Sequence, residues 1–311
     1  MTTRWVLLCG LLAAVLAGVL GLFVMSLLLG EDEATETEEN SPARCEAHGI
    51  LPPDPRAQPD RVTGIGVADE SGEPGESGGP DGAAEAIQLD QEFTSGDTTS
   101  SYHLFTRGVD FDEPVGVVVR LHGDGGAEFE NPDGLLNCLA AVAASQNMVL
   151  LAPLTPDVQG EVTWWEDIST NLPWLNDLLT ERVTQSFPVD PERVWWMGYS
   201  GGAEMITYGV LPRTPEVVTG GAVMIGGGGA PQIAVEEPSA EQRLSLDLIW
   251  VTGTLDDGSV PYAPFDAVTA TREGSAWYRQ QGFEQVRAEY PEGEDHFSLQ
   301  QARILDEALT Q

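Results

Sequence analysis

The hydrophobic and polar positions divide this chain of 311 residues into three parts. Residues 1–30 are almost wholly apolar, and the stretch 5–29 carries no charge, which is typical of a membrane-spanning helix. Residues 31–85 are rich in Glu, Asp, Gly, Pro and Ser and poor in large apolar side chains, which predicts a disordered acidic linker. Residues 86–311 alternate apolar runs with amphipathic stretches and are long enough for one folded domain.

Within residues 86–311 the pattern predicts strands and helices in turn. Residues 115–121 form an apolar run interrupted only by Arg120, as expected for a buried central strand. The other predicted strands are 87–93, 101–106, 148–151, 194–197, 217–225, 246–252 and 285–290, and the predicted helices are 134–144, one beginning near 171, 265–280 and 297–309. Repeated β-α units predict an α/β fold with a mostly parallel sheet and helices on both faces.

The ends of the apolar segment predict its orientation. Arg4 precedes it and Glu31, Asp32 and Glu33 follow it, so the positive-inside rule places the N-terminus in the cytoplasm and the rest of the chain outside. The alternative is a cleaved signal peptide, although no clear cleavage site of small residues follows. The folded domain is therefore expected outside the cytoplasm, anchored to the membrane, or secreted if the segment is cleaved.

The charge balance excludes several functions. The chain has 50 acidic and 14 basic residues, for a net charge of −36, and all the basic residues are arginine. Nucleic acids and anionic lipid surfaces would repel such a chain. The absence of lysine excludes Schiff-base chemistry, a P-loop and Ser-Lys catalysis. The acid excess predicts adaptation to high salt, which screens self-repulsion; a GC-rich genome is the alternative explanation for the missing lysine alone.

The cysteines give two alternatives. Cys9 lies in the apolar segment, which leaves Cys45 and Cys138. In an oxidising compartment these two could form a disulfide that joins the linker to the domain. Otherwise they remain two thiols, with Cys138 buried on a helix.

The strongest chemical motif follows the predicted strand 194–197. It reads Gly198-Tyr199-Ser200-Gly201-Gly202, the G-x-S-x-G pattern of a nucleophile elbow between a strand and a helix. A second copy around Ser77 lies in the acidic linker, with no strand before it and no helix after it. Ser200 is therefore the predicted nucleophile of a serine hydrolase.

The glycine-rich stretch 121–126 follows the central strand and includes His122 and Asp124. In this position the backbone can supply an N–H to an oxyanion hole, and the predicted donors are the amides of Asp124 and Gly201. The carboxylate of Asp124 is then expected to point away from the oxyanion. The alternative is a plain tight turn.

Two further strand ends supply an acid and a base. Asp256 and Asp257 follow the strand 246–252, and either can orient a histidine; Asp256 is the preferred one. The chain has four histidines, of which one lies in the linker, one in an early strand and one in the glycine-rich turn. His296 remains as the general base. Ser200, Asp256 and His296 follow the order expected in this kind of fold.

These motifs resemble the α/β-hydrolases, and among them the polyhydroxybutyrate depolymerase and feruloyl esterase-like group. The resemblance implies hydrolysis of a small-molecule carboxylic ester through an acyl-enzyme, with no cofactor and no metal. One departure is Gly201, where the group more usually has alanine. The resemblance spans about residues 87–311 and rests on Ser101-Tyr102, residues 121–126, Asp190-Pro191, Arg193-Val194, residues 198–200, Gly253-Thr254, Asp256, residues 260–262 and His296.

Two other functions stay open. A serine peptidase of the prolyl-oligopeptidase type would share the order of the three residues and the fold, but such enzymes usually carry a propeller domain. A non-catalytic surface-binding protein on the same fold is the second alternative. The pair Trp164 and Trp165 suits an aromatic or flat substrate if it is exposed, or the core under a loop if it is buried.

Overall fold

The computed structural model describes residues 44–60, 62, 87–232 and 238–311. The apolar segment 1–30 and the remainder of the predicted linker lie outside these residues. Within the described ranges no helix is both long enough and apolar enough to cross a membrane.

Within the described residues, eight strands form one sheet in the order β1-β2-β4-β3-β5-β6-β7-β8. The first two strands are antiparallel to each other, β2 is antiparallel to β4, and the remaining neighbours are parallel. The predicted α/β fold with a mostly parallel sheet is therefore confirmed. The strands are β1 (Ile87–Ser95), β2 (Thr98–Phe105), β3 (Val115–Leu121), β4 (Met148–Pro153), β5 (Val189–Tyr199), β6 (Gly221–Ile225), β7 (Asp247–Val251) and β8 (Val286–Glu289).

Helices and short helical turns connect the strands and cover both faces of the sheet. The helices are α1 (Ala127–Glu130), α2 (Asn137–Ser145), α3 (Ile168–Leu178), α4 (Gly201–Met205), α5 (Leu211–Arg213), α6 (Ala240–Ser245), α7 (Ala267–Gln280) and α8 (Gln301–Leu309). The short turns are Glu46–His48, Pro55–Ala57, Pro132–Leu136, Leu179–Thr184, Ile206–Val210 and Pro215–Val217.

The core has one layer on each face of the sheet. Every residue of β3 is buried, and alternate side chains of this strand enter opposite layers, as Val117 and Val118 do. One layer includes side chains of α3 and α7, and the other includes side chains of α2 and α8. This packing holds the carboxyl ends of the parallel strands, and the loops that follow them, in fixed relative positions.

The prediction of a disordered linker over 31–85 is wrong for residues 44–60. Cys45, Ile50 and Ala57 are buried against the core layer that contains α2 and α8. Cys45 forms a disulfide with Cys138, and Arg56 pairs with a carboxylate of α8 at 2.6 Å. A segment too polar to form its own core can still bury a few apolar side chains on an existing one, and here a covalent bond joins the two.

Candidate active site

Four loops meet at the carboxyl edge of the parallel sheet, where open α/β sheets bind their ligands. The turn with Asp124 follows β3, and Ser200 follows β5. Asp256 follows β7, and His296 lies in the loop between β8 and α8. The parallel direction of these strands brings together residues that lie far apart in the sequence.

Ser200 occupies a sharp turn between β5 and α4. Its backbone has φ +49° and ψ −120°, a conformation that non-glycine residues rarely adopt. A Cβ on Gly198 would collide with the backbone of Gly202, so the turn requires glycine there. The N–H of Ser200 donates to the Ile225 carbonyl at 2.8 Å, which ties the turn to β6. The side chain is thereby held at the start of a helix, at the edge of the sheet.

The hydroxyl, imidazole and carboxylate of the three predicted residues form one chain of hydrogen bonds. Ser200 Oγ lies 3.0 Å from His296 Nε2, and His296 Nδ1 lies 2.7 Å from Asp256 Oδ2. Both ionisable side chains are buried, with 2% exposure for Asp256 and 9% for His296. Tyr199 also fixes the histidine loop, because its hydroxyl donates to the His296 carbonyl at 2.8 Å. This arrangement can activate a serine hydroxyl.

The structure brings Asp256, and not Asp257, to the histidine. The exposed Asp257 carboxylate accepts the N–H of Ser259 at 3.0 Å, and its hydrogen bonds to Ser259 lower the pKa of Asp257. The loop that holds Asp256 is joined to the histidine loop by the Leu255 N–H, which donates to the Glu294 carbonyl at 2.9 Å.

His122 holds the glycine-rich turn in place through hydrogen bonds. Its Nε2 accepts the N–H of Thr155 at 3.1 Å, so the ring proton resides on Nδ1, which donates to the Gly123 carbonyl at 2.7 Å. Burial, partly offset by the bond to Gly123, lowers the pKa of His122 to about 4, and the ring is neutral at neutral pH. Both ring nitrogens are thus used to hold the turn, and His122 has a structural role here.

The amides of the turn differ in their partners. The Gly123 N–H faces the Glu128 carboxylate, which also pairs with the buried Arg120 at 3.2 Å, and the Gly125 N–H donates to a carbonyl at 2.9 Å. Within the described part of the chain, the structure gives no acceptor for the Asp124 N–H. The N–H of Gly201 lies in the first turn of α4, where helix amides lack intrahelical partners. Gly201 follows Ser200 directly in the chain, and the Asp124 side chain lies against Gly201.

The sequence analysis expected the Asp124 carboxylate to point away from the oxyanion. The structure instead places it next to one of the two predicted donors. The carboxylate lies against Gly201, and a Cβ on Gly201 would require the carboxylate to move. Trp165 Nε1 donates to this carboxylate at 3.2 Å. Partial loss of hydration raises the pKa of Asp124, and the acidic neighbours Glu161 and Glu166 add to this effect.

The two tryptophans differ in exposure, so each fits one of the two alternatives considered for the pair, burial under a loop or exposure to a substrate. Trp164 is fully buried and packs against His122 with ring centroids 5.1 Å apart. Trp165 is 37% exposed and contacts Asp124 instead.

Glu204 is a buried carboxylate that the sequence analysis did not identify. It accepts the N–H groups of Gly228 and Gly229 at 3.0 Å each, and burial raises its pKa. The loop that Glu204 holds begins at Gly226, and a side chain on Gly226 would point towards the His296 ring. The position of the glutamate on the elbow helix and the later glycine run were visible in the sequence, but nothing local connects them.

A cavity of about 280 Å³ opens beside Ser200. Exposed aromatic side chains that sequence reasoning did not assign to the site form part of its wall. The cavity is lined by Gly123, Asp124, Tyr199, Ser200, Tyr262, Ala263, Pro264, Phe265, His296 and Phe297. Within the described residues no group of three or more His, Cys, Asp or Glu side chains is arranged to hold a metal ion.

No family model and no curated protein matches this chain. Among solved structures, it is similar to a carboxylesterase from Mesorhizobium loti, with 17% identity over 70% of this chain and 98% of that one and a TM-score of 0.50. It is also similar to a thermostable esterase, with 19% identity, a TM-score of 0.49 and coverage of 71% of this chain but only 61% of that one. A feruloyl esterase module from Clostridium thermocellum is similar at 12% identity over 73% of this chain and 87% of that one, with a TM-score of 0.42. The fold is that of the α/β-hydrolases.

Proposed function

We propose that this chain is a serine hydrolase that cleaves carboxylic esters through an acyl-enzyme. The observation that carries the proposal is the continuous hydrogen-bonded chain from Ser200 Oγ through His296 to Asp256, with distances of 3.0 and 2.7 Å. The turn that presents the serine, with φ at +49°, supports it further, because strained backbone is typical of such nucleophiles. The structure from Mesorhizobium loti is a carboxylesterase, which favours esters as the substrate class.

In the proposed reaction Ser200 Oγ attacks the ester carbonyl carbon, and His296 Nε2 accepts the hydroxyl proton. Asp256 holds the proton on Nδ1 and stabilises the imidazolium that forms. The amides of Gly201 and Asp124 donate to the developing oxyanion, and one such donor accounts for about 2.7–4 kcal/mol of transition-state stabilisation. His296 then gives its proton to the departing alkoxide. Water, deprotonated by the same imidazole, releases the acid and restores the serine.

The test compares the wild-type chain with Ser200→Ala on p-nitrophenyl acetate and butyrate, in low and in molar salt. We expect hydrolysis by the wild type and loss of nearly all of it in the variant, because no other described residue offers an activated nucleophile in the cavity. Peptide p-nitroanilides, assayed in parallel, distinguish an esterase from a serine peptidase. A folded wild type that cleaves neither class of substrate would leave the surface-binding protein as the better explanation.

We also propose that the domain works outside the cytoplasm, attached through residues 1–30. The disulfide between Cys45 and Cys138 supports this location, because such bonds persist in oxidising compartments. Protection of the domain from protease added to intact cells would contradict it. The net charge of −36 supports the further proposal of salt adaptation, and an equal free energy of unfolding in low and molar salt would argue against that.

A further inference from the structure

The lining of the cavity beside Ser200 combines a carboxylate with exposed aromatic rings. Tyr262 is 67% exposed and Phe297 is 65% exposed, with their ring centroids 6.2 Å apart, and Phe265 also lines the cavity. Large apolar side chains that stay exposed next to a reactive group indicate a surface for a ligand. Among the described residues that line the cavity, Asp124 carries the one carboxylate, and none is an arginine.

A carboxylate in this position opposes the proposed chemistry unless something offsets its charge. The Asp124 side chain lies against Gly201, whose amide is a proposed donor to the oxyanion, and a negative charge there repels a developing negative charge. The Asp124 carboxylate accepts a hydrogen bond from the indole N–H of Trp165, which carries no charge. Glu161 and Glu166 add negative charge near Asp124, whereas the His296 ring favours the charged carboxylate. Until the His296 ring takes up the serine proton, the protein therefore supplies little compensation for this charge.

We propose that the substrates of this site carry a cationic group, an ammonium or quaternary ammonium, that lies between the Asp124 carboxylate and the exposed rings of Tyr262 and Phe297. This inference rests on the proposed esterase function and names its substrate class. A cation on an aromatic face is attracted by the ring quadrupole, and quaternary ammonium ligands use this attraction. The carboxylate adds an ionic contact, and the ligand cation offsets the repulsion between Asp124 and the oxyanion. Asp124 is then a specificity-determining residue through its side chain as well as a proposed donor through its backbone.

The chain as a whole favours the same ligand class. A net charge of −36 attracts cations and raises their concentration near the surface. Anionic esters are disfavoured for the same reason. The preference for a cation should weaken as salt rises, because the cavity mouth is open to solvent.

The experiment uses pairs of esters that differ only in a terminal trimethylammonium group or its uncharged tert-butyl isostere. One pair carries this group on the alcohol of a butyrate ester, and the other carries it on the acyl chain of a p-nitrophenyl ester. In low salt the wild type should show kcat/KM about tenfold higher for the cationic member of at least one pair, which corresponds to about 1.4 kcal/mol. The pair that shows the preference identifies the side of the ester that lies against Asp124.

Asp124→Asn should bring this ratio close to one, because it keeps the shape and the backbone amide but removes the charge. The matched control is Glu216→Gln, which makes the same change in net charge at an exposed residue before β6, at the opposite edge of the sheet. The control should keep the wild-type ratio. Inhibition of the wild type by tetramethylammonium, stronger than by tert-butanol, tests the cation site without any variant.

The outcomes separate the inference from the function on which it rests. Cleavage of both members of each pair at similar rates by the wild type would overturn the cation site and leave the esterase intact. An unchanged ratio in Asp124→Asn would also overturn it. Absence of cleavage of every ester would overturn both proposals.

Discussion

The burial of His122 predicts that the domain loses stability in mild acid. Its pKa falls from 6.5 to about 4 in the folded protein, because burial disfavours the charged ring, and returns to its ordinary value on unfolding. Between these two values the unfolded chain binds a proton that the folded chain does not. The stability contributed by the neutral ring is therefore fully present above about pH 6.5 and is lost as pH falls towards the folded pKa. At about 1.4 kcal/mol per pKa unit, the gap corresponds to about 3 kcal/mol of unfolding free energy.

The variant that isolates this effect is His122→Gln, which removes the titrating ring and keeps a side chain able to form hydrogen bonds. Urea unfolding of both proteins is measured at a series of values from about pH 7 to about pH 4. The amount by which the wild-type free energy of unfolding exceeds that of the variant is plotted against pH. Titrating groups that do not interact with the His122 ring act on both proteins alike, so they cancel in this difference. The difference should shrink by about 3 kcal/mol across the range. Parallel stability profiles would refute the claim that His122 is buried in its neutral form.

Three further changes test other parts of the account. Asp256→Asn should lower kcat for p-nitrophenyl butyrate by about a factor of 10⁴ and Asp257→Asn by less than about twofold, because only Asp256 orients the histidine. The reverse ranking would contradict the assignment of Asp256 as the residue that orients His296. Gly201→Ala should raise kcat for the uncharged p-nitrophenyl butyrate, since its methyl would displace the Asp124 carboxylate that repels the oxyanion, and a lower kcat would contradict this. Replacement of both Cys45 and Cys138 by serine should lower the free energy of unfolding by up to about 4.6 kcal/mol, because the disulfide closes a loop of 93 residues. Urea denaturation measures this difference, and an unchanged free energy of unfolding would contradict it.

Much of the fold could be predicted because its signals are local. The continuous apolar run of β3 marks a central strand, and the change from a strand pattern to a small-residue helix start marks the turn at Ser200. Parallel strands place their following loops at one edge, so the order of elements was enough to predict that Ser200 and His296 would meet. The small number of histidines then left His296 as the candidate base.

The remaining features depend on contacts that the linear sequence does not reveal. Asp256 and Asp257 are neighbours of the same type, and the backbone of Asp257 bridges to Asp266, a contact with a later segment that the local sequence does not show. The contact between the Asp124 carboxylate and Gly201 joins two loops that follow different strands. Glycine after the serine leaves this carboxylate in place, a relation that the sequence does not reveal.

Residues 44–60 show the limit of composition as a guide. The segment looks like linker because its apolar content is low when averaged over its length. Its buried side chains, Cys45 and Ile50 among them, pack on a surface formed by α2 and α8, and the form of that surface follows from the complete fold.

The central claim is that Ser200 is an activated nucleophile, and reaction with a fluorophosphonate tests it most directly. The full-length wild type is incubated with the probe, and its intact mass is compared with those of Ser200→Ala and of Ser77→Ala, which alters the other G-x-S-x-G sequence. The account predicts one adduct on the wild type and on Ser77→Ala, and none on Ser200→Ala. A folded wild type that remains unlabelled, or a Ser200→Ala variant that is labelled as fully as the wild type, would contradict it.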